Sequence, residues 1–146
     1  HRDVKPANVL RDGEGERVLL TDFGIAAILD SGDVSAQRLT GTGERVGSAR
    51  YSSPEQLRGD PLTEQADVYG LGLLAFELLT GDSPFPEAAD ETALTVAQLE
   101  EEPPAMREVT AEVGPDLDDL VARCLRKTPA HRPSASDVIA VLQRMG

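Results

Sequence analysis

Apolar positions fall in two short runs near the start of the chain and in four longer patterned stretches beyond residue 60. Residues 9–11 (Val-Leu-Arg) and 17–21 (Arg-Val-Leu-Leu-Thr) read as two short strands. The "DGEGE" between them, two glycines among acids, has hairpin-turn chemistry. Folding this hairpin about Gly15 sets Leu10 opposite Leu20 and Asn8 opposite Asp22. Residues 25–52 are polar and rich in Gly, Ser and Thr, a loop length that within a compact domain tends to be functional. In "SPEQL", Ser53 opens a short helical turn with Pro54 at its first position. The pattern then predicts helices over 63–80, 91–101, 116–127 and 135–145. Thr63 and Gly81 are the expected caps of the first, Pro103-Pro104 the stop of the second, and Asp116 the cap of the third. Ser134 with Asp137 forms a capping-box-like pair at the last. From Val68 to Leu79 the first helix is apolar on nearly every face, which predicts burial on all sides. The fold class expected is α+β, mainly α-helical: a short hairpin followed by helices.

Composition narrows the function without naming it. At 146 residues the chain has the length of one domain, and 40% apolar with 27% charged content reads as globular and soluble. Aromatic content of 3% requires a core of Leu, Val, Ile and Ala. A net charge of −12 argues against a nucleic-acid surface, which needs a basic stripe. Cys124, the single cysteine, lies in an apolar helical pattern and reads as a small buried hydrophobe. No run reaches 18 apolar residues and no signal peptide is recognisable, so a cytoplasmic setting is the expectation.

The chemistry concentrates at the open end of the hairpin. Directly opposed residues of an antiparallel pair have Cα atoms about 4.5–5.5 Å apart, so Asn8 and Asp22 would present an amide oxygen and a carboxylate side by side. Such an oxygen pair suits Mg²⁺, a hard cation that takes one or two carboxylates plus phosphate oxygens. Asp3 and Lys5, just upstream in a loop stiffened by Pro6, add a second carboxylate and an ammonium.

"HRDVKPANVL" followed by "TDFG" resembles the catalytic loop and metal-binding motif of eukaryotic-type (Hanks-type) protein kinases. "GSARYSSPEQL" resembles the end of their activation segment, with Ser53-Pro54-Glu55 for the usual Ala-Pro-Glu. "ADVYGLGLLAFELLTGDSPF" resembles their central buried helix, and "RCLRKTPAHRPSASDV" their closing arginine motif. "DFGIA" with "SPEQL" looks most like the bacterial Ser/Thr kinases. The resemblance implies that Asp3 is the catalytic base for the substrate hydroxyl and Lys5 the neutraliser of the transferring phosphate. It implies that Asn8 and Asp22 bind Mg²⁺ and, with Lys5, the ATP phosphates. Arg2 matches the arginine that docks a phosphorylated activation loop, where Thr40 and Thr42 are the expected phosphosites. Ser48, standing where a threonine is usual, is expected to bridge Asp3 and Lys5. Glu55 and Arg132 match a buried ion pair, which neither residue would suggest by itself, and Asp67 matches the aspartate that holds the catalytic-loop backbone. His1 is expected to be structural, and His131 and Glu100-Glu101-Glu102 solvated.

The resemblance further implies a kinase domain joined at its catalytic loop, spanning residues 1–146 as a partial, C-terminal lobe. Its expected partners are Ser/Thr-bearing protein substrates and an N-terminal lobe. The 146 residues contain no glycine-rich phosphate loop and no adenine hinge, so they are expected to be inactive alone; without the helix that leads into His1, one wall around the 68–79 helix is missing, so they are expected to be marginally folded. Two alternatives stand beside the kinase reading. One is a non-catalytic kinase-like interaction module. The other is a small-molecule phosphotransferase of the aminoglycoside-kinase type, a group that lacks the Lys5 pattern and a Ser-Pro-Glu motif.

Overall fold

The computed structural model describes residues 1–13, 17–23 and 49–146. The hairpin tip, most of the 25–52 loop, Thr40, Thr42 and Ser48 lie outside the described residues. A 3₁₀ turn at Pro6–Asn8 leads into strands β1 (Val9–Arg11) and β2 (Val18–Leu20). After a second 3₁₀ turn at Ala49–Tyr51 come six helices: α1 (Pro54–Arg58), α2 (Gln65–Thr80), α3 (Glu91–Glu100), α4 (Met106–Val109), α5 (Pro115–Cys124) and α6 (Ala135–Met145). A third 3₁₀ turn, Pro129–His131, separates the last two. The mainly helical α+β class is as expected, and α4 was not foreseen.

The hairpin register corrects the prediction by one residue. Val9 pairs with Leu20, Leu10 with Leu19 and Arg11 with Val18, so Asn8 meets Thr21 rather than Asp22. The strands are half-buried at best, so no apolar face selects the register. The closing pair does: the Asp12 N–H donates to the Arg17 carbonyl at 3.1 Å, and the Arg17 N–H donates to the Asp12 carboxylate at 3.3 Å.

Caps follow the sequence where they are local. Ser53 and Gln56 form a full capping box at α1, and Ser134 and Asp137 form another at α6. Gly81 closes α2 in the left-handed region at φ 84°. Two expected caps are corrected. The Thr63 carbonyl accepts the Ala66 N–H and its hydroxyl the Gln65 N–H, so it belongs to a preceding turn and α2 starts at Gln65. α5 starts at Pro115 behind Gly114 and stops at Cys124, which leaves Asp116 inside its first turn. There Asp118 is buried, accepting the Met106 N–H at 2.8 Å and the Arg107 Nε–H at 2.6 Å, and so anchors α4.

α2 is the axis of the core. Tyr69, Leu73 and Phe76 pack with Met106, Val113, Val121 and Leu125, and Val68 packs with Leu120, Cys124 and Val138. A Cβ on Gly72 would stand 2.9 Å from the Cys124 Cβ, so only glycine admits this approach of α5. Cys124 is a buried hydrophobe, as expected, and burial pushes its thiol up to about 11. The expected burial on every side of α2 is not seen. Leu71, Leu78 and Leu79 are 40%, 74% and 40% exposed, because the other described elements cover only the opposite faces. No described helix is long and apolar enough to cross a membrane.

Candidate functional site

The loop before β1 is held by long-range bonds to α2 and α1. Asp67, in the first turn of α2, accepts the Arg2 N–H on Oδ1 at 2.7 Å and the His1 nitrogen on Oδ2 at 2.6 Å. From the other side, the Gln56 amide donates to the Arg2 carbonyl at 2.7 Å. Arg2 has φ 70°, a left-handed conformation that costs a non-glycine residue roughly 1–2 kcal/mol. Clamping both its N–H and its carbonyl holds that conformation. Val4 is buried against α2 at Gly70, where a Cβ would come within 3.2 Å of the Val4 Cβ and 3.3 Å of its carbonyl oxygen. The sequence reading singled out Asp67 and missed Gln56 and Gly70. A glutamine at the third helical position reads as a capping-box partner, and its amide nitrogen reaches Arg2 only through the fold.

This clamped loop brings three of the predicted side chains together. The Lys5 ammonium lies 2.8 Å from Asp3 Oδ2. The buried Asn8 amide donates to the Asp3 carbonyl at 2.7 Å and to Asp3 Oδ2 at 3.0 Å. The Asn8 nitrogen is therefore committed to Asp3, which fixes the orientation of its amide. The Asn8 main-chain carbonyl accepts the Thr21 N–H at 2.8 Å, tying the loop to the residue before Asp22. Asp22 is exposed, and its φ of 55° is a left-handed value that aspartate tolerates better than most residues. His1 has the structural setting expected of it. Its Nδ1 accepts the Asp3 N–H at 3.3 Å, its Nε2–H donates to the Thr21 carbonyl at 2.7 Å, and its ring lies 4.7 Å from that of Phe23.

A metal is tested by the donor types present. Among the described residues no group of three or more His, Cys, Asp or Glu side chains could hold one. Asn8 carries an amide oxygen and Asp22 an exposed carboxylate, both hard oxygen donors. That fits a cation which keeps several waters and takes its remaining ligands from phosphate, and it fits no thiophilic or imidazole-seeking metal.

Glu55 and Arg132, 77 positions apart, form a buried bidentate pair at 2.6 and 2.8 Å. The remaining Arg132 donors reach the carbonyls of Arg126 (2.7 Å), Gln65 (2.8 Å) and Lys127 (3.0 Å), and the guanidinium lies 4.8 Å over the Tyr69 ring. Burial opposes the charge on Glu55, but the hydrogen bonds and charge of Arg132, together with backbone and Ser53 hydrogen bonds, outweigh it and hold the carboxyl below its usual range. Toward the C-terminal end of α2, Glu77 receives the Tyr51 hydroxyl and lies 3.0 Å from the Arg50 guanidinium. Burial, reinforced by the bond to Glu77, pushes the Tyr51 phenol up to about 12. Lys127 is a further group that the sequence reading passed over. Its ammonium donates to the carbonyls of Gln98 (2.9 Å) and Ala97 (3.3 Å) at the C-terminal end of α3 and to the Tyr69 hydroxyl (3.2 Å). It also stands 4.8 Å over the Phe85 ring. His131 and Glu100–Glu102 are exposed, as expected.

A family model described as "Protein kinase domain" matches residues 1–141. Among curated proteins, the chain is 39% identical over 142 residues to the serine/threonine-protein kinase pkn3 of Myxococcus xanthus, covering 94% of this chain and 26% of that protein. It is 44% identical over 136 residues to PknF of Mycobacterium tuberculosis (90% and 27%), and 43% identical over 140 residues to PkaA of Streptomyces coelicolor (94% and 24%). The chain thus spans about a quarter of the length of these relatives.

Proposed function

Because the chain belongs to the protein kinase domain family, we propose that residues 1–146 supply the C-terminal-lobe side of a Ser/Thr protein kinase active site. The observation that carries this reading is the Asp3 carboxylate, bonded to the Lys5 ammonium and the Asn8 amide on a loop clamped by Asp67 and Gln56. In this reading Asp3 accepts the proton of a substrate serine or threonine hydroxyl as its oxygen forms a bond to the γ-phosphorus of ATP and the bond to the β-phosphate oxygen breaks. Lys5 balances charge on the transferring phosphoryl group. Asn8 and Asp22 would hold Mg²⁺, which when bound neutralises the phosphate oxygens. The names of the relatives, all Ser/Thr-protein kinases of bacteria, support a protein hydroxyl as acceptor. In this reading the adenine and α/β-phosphate contacts would be made by an N-terminal lobe.

Arg2, immediately before Asp3, is proposed to receive a phosphate from the activation segment, at Thr40 or Thr42. Ser48 is assigned to the Asp3–Lys5 pair by family pattern. Glu55–Arg132 and Asp67 act as supports.

The test is Asp3→Asn in the full-length gene product that carries these residues. Transfer to a generic basic protein should fall by about 10²–10⁴-fold while nucleotide affinity is retained. Asp22→Ala should instead weaken Mg²⁺-nucleotide binding. Near-normal turnover in Asp3→Asn refutes the assignment of the base.

A further inference from the structure

Between Arg58 and Arg107 the chain has no Lys, Arg or His, while Asp and Glu recur throughout. The negative charge of the protein is therefore concentrated on α2, α3 and the segments that join and follow them. In the middle of this block the structure has a groove of about 350 Å³, between α3 and the 84–88 segment. Phe85, Ala93 and Ala97 contribute its apolar surface, and the exposed Glu87, Glu101 and Glu102 stand along it. Among the described residues none of these three carboxylates forms a salt bridge. Two cations of the described residues lie near this end of α3, and both are engaged with backbone carbonyls: Lys127 directs its donors inward, to the Ala97 and Gln98 carbonyls and the Tyr69 hydroxyl, and Arg58 donates to the Leu99 carbonyl at 3.4 Å.

An apolar trough of this size takes a side chain or two of a ligand. A rim of like charges outside any salt bridge selects an opposite charge on either side of that anchor and speeds its arrival. We propose that this groove docks an extended basic segment of a partner protein, with one aliphatic side chain seated against Phe85, Ala93 and Ala97 and with Arg or Lys residues flanking it at Glu87, Glu101 and Glu102. The docking needs no phosphoryl transfer and does not depend on the catalytic reading of the Asp3 loop.

The experiment is fluorescence anisotropy with the full-length gene product and a labelled decapeptide carrying arginines around a central leucine. The peptide should bind, and the same peptide with glutamates in place of the arginines should not. Glu101→Gln with Glu102→Gln should weaken binding about fivefold at low salt, the difference shrinking as salt is added. Serine in place of the central leucine should weaken it by a similar factor. Glu112→Gln with Asp116→Asn, exposed carboxylates away from the groove, should leave affinity unchanged, and circular dichroism of each variant should match the parent. Equal losses from the two double variants would overturn the proposal, as would indifference to the central leucine. Displacement by spermine as effective as displacement by unlabelled peptide would also overturn it, because the groove would then be taking any polycation.

Discussion

Arg132→Met removes the guanidinium that satisfies the most acceptors in the described structure. Its five N–H donors reach both oxygens of Glu55 and the carbonyls of Gln65, Arg126 and Lys127. The two side chains are 0% and 5% exposed, so water cannot replace the lost donors without opening the fold. Removing one partner of a buried pair costs about 3–5 kcal/mol, and the loss of a donor at three backbone carbonyls places this case toward the upper end. A domain of ordinary stability, about 5–15 kcal/mol, loses a third or more of it. With a urea slope of about 2 kcal/mol/M, the midpoint should fall by roughly 2 M.

The pH dependence gives the cause away. In the parent, Glu55 has a folded pKa held below its ordinary 4.5, so its contribution is fully present above 4.5 and is lost as pH falls through the folded value. In the variant burial is opposed only by the backbone and Ser53 hydrogen bonds, so the folded pKa rises relative to the parent and the variant loses less stability as pH falls. The gap between the proteins therefore narrows in acid. Urea unfolding at pH 7 and pH 4, followed by circular dichroism, measures it. A midpoint shift below about 0.5 M at pH 7, or a gap that does not narrow at pH 4, refutes the reasoning.

Gly72→Ala places a Cβ 2.9 Å from that of Cys124 and should cost about 1–3 kcal/mol through overpacking; an unchanged unfolding midpoint would contradict the close approach of α2 and α5. Burial lowers Lys127 from its ordinary 10.5 to about 8 against the pull of Glu102 and Glu101, so lysine-selective NMR should show the Lys127 signal, assigned by its loss in Lys127→Met, titrating near 8. Because the unfolded chain then binds more protons between about 8 and 10.5, stability relative to Lys127→Met should rise with pH across that window. A Lys127 midpoint above 10 would contradict this. Mass spectrometry of the active full-length gene product should find phosphate on Thr40 or Thr42, and full activity with both changed to alanine would count against the switch.

What the sequence determined is what neighbours along the chain decide. The capping boxes at Ser53 and Ser134 span three residues, and Gly81 needs only its own backbone freedom, so each was legible as a local pattern. The order of motifs placed Asp3, Lys5 and Asn8 in one loop, and the structure brings these three side chains together. Thr63 and Asp116 failed as caps because residues with the right side chain stood one or two positions from where the chain turns. The hairpin register failed because the closing bonds between Asp12 and Arg17, rather than any apolar alternation, set it. Only the tertiary structure decided the remainder. It showed that Gln56 reaches Arg2 across 54 positions, that Arg132 aligns five donors, that Lys127 closes the end of α3, and that Leu78 on the apolar α2 stays exposed. The reason is range. A cap is set by backbone geometry within one turn, whereas these contacts exist only after separate helices have packed against α2, and no residue's own neighbours carry that distance.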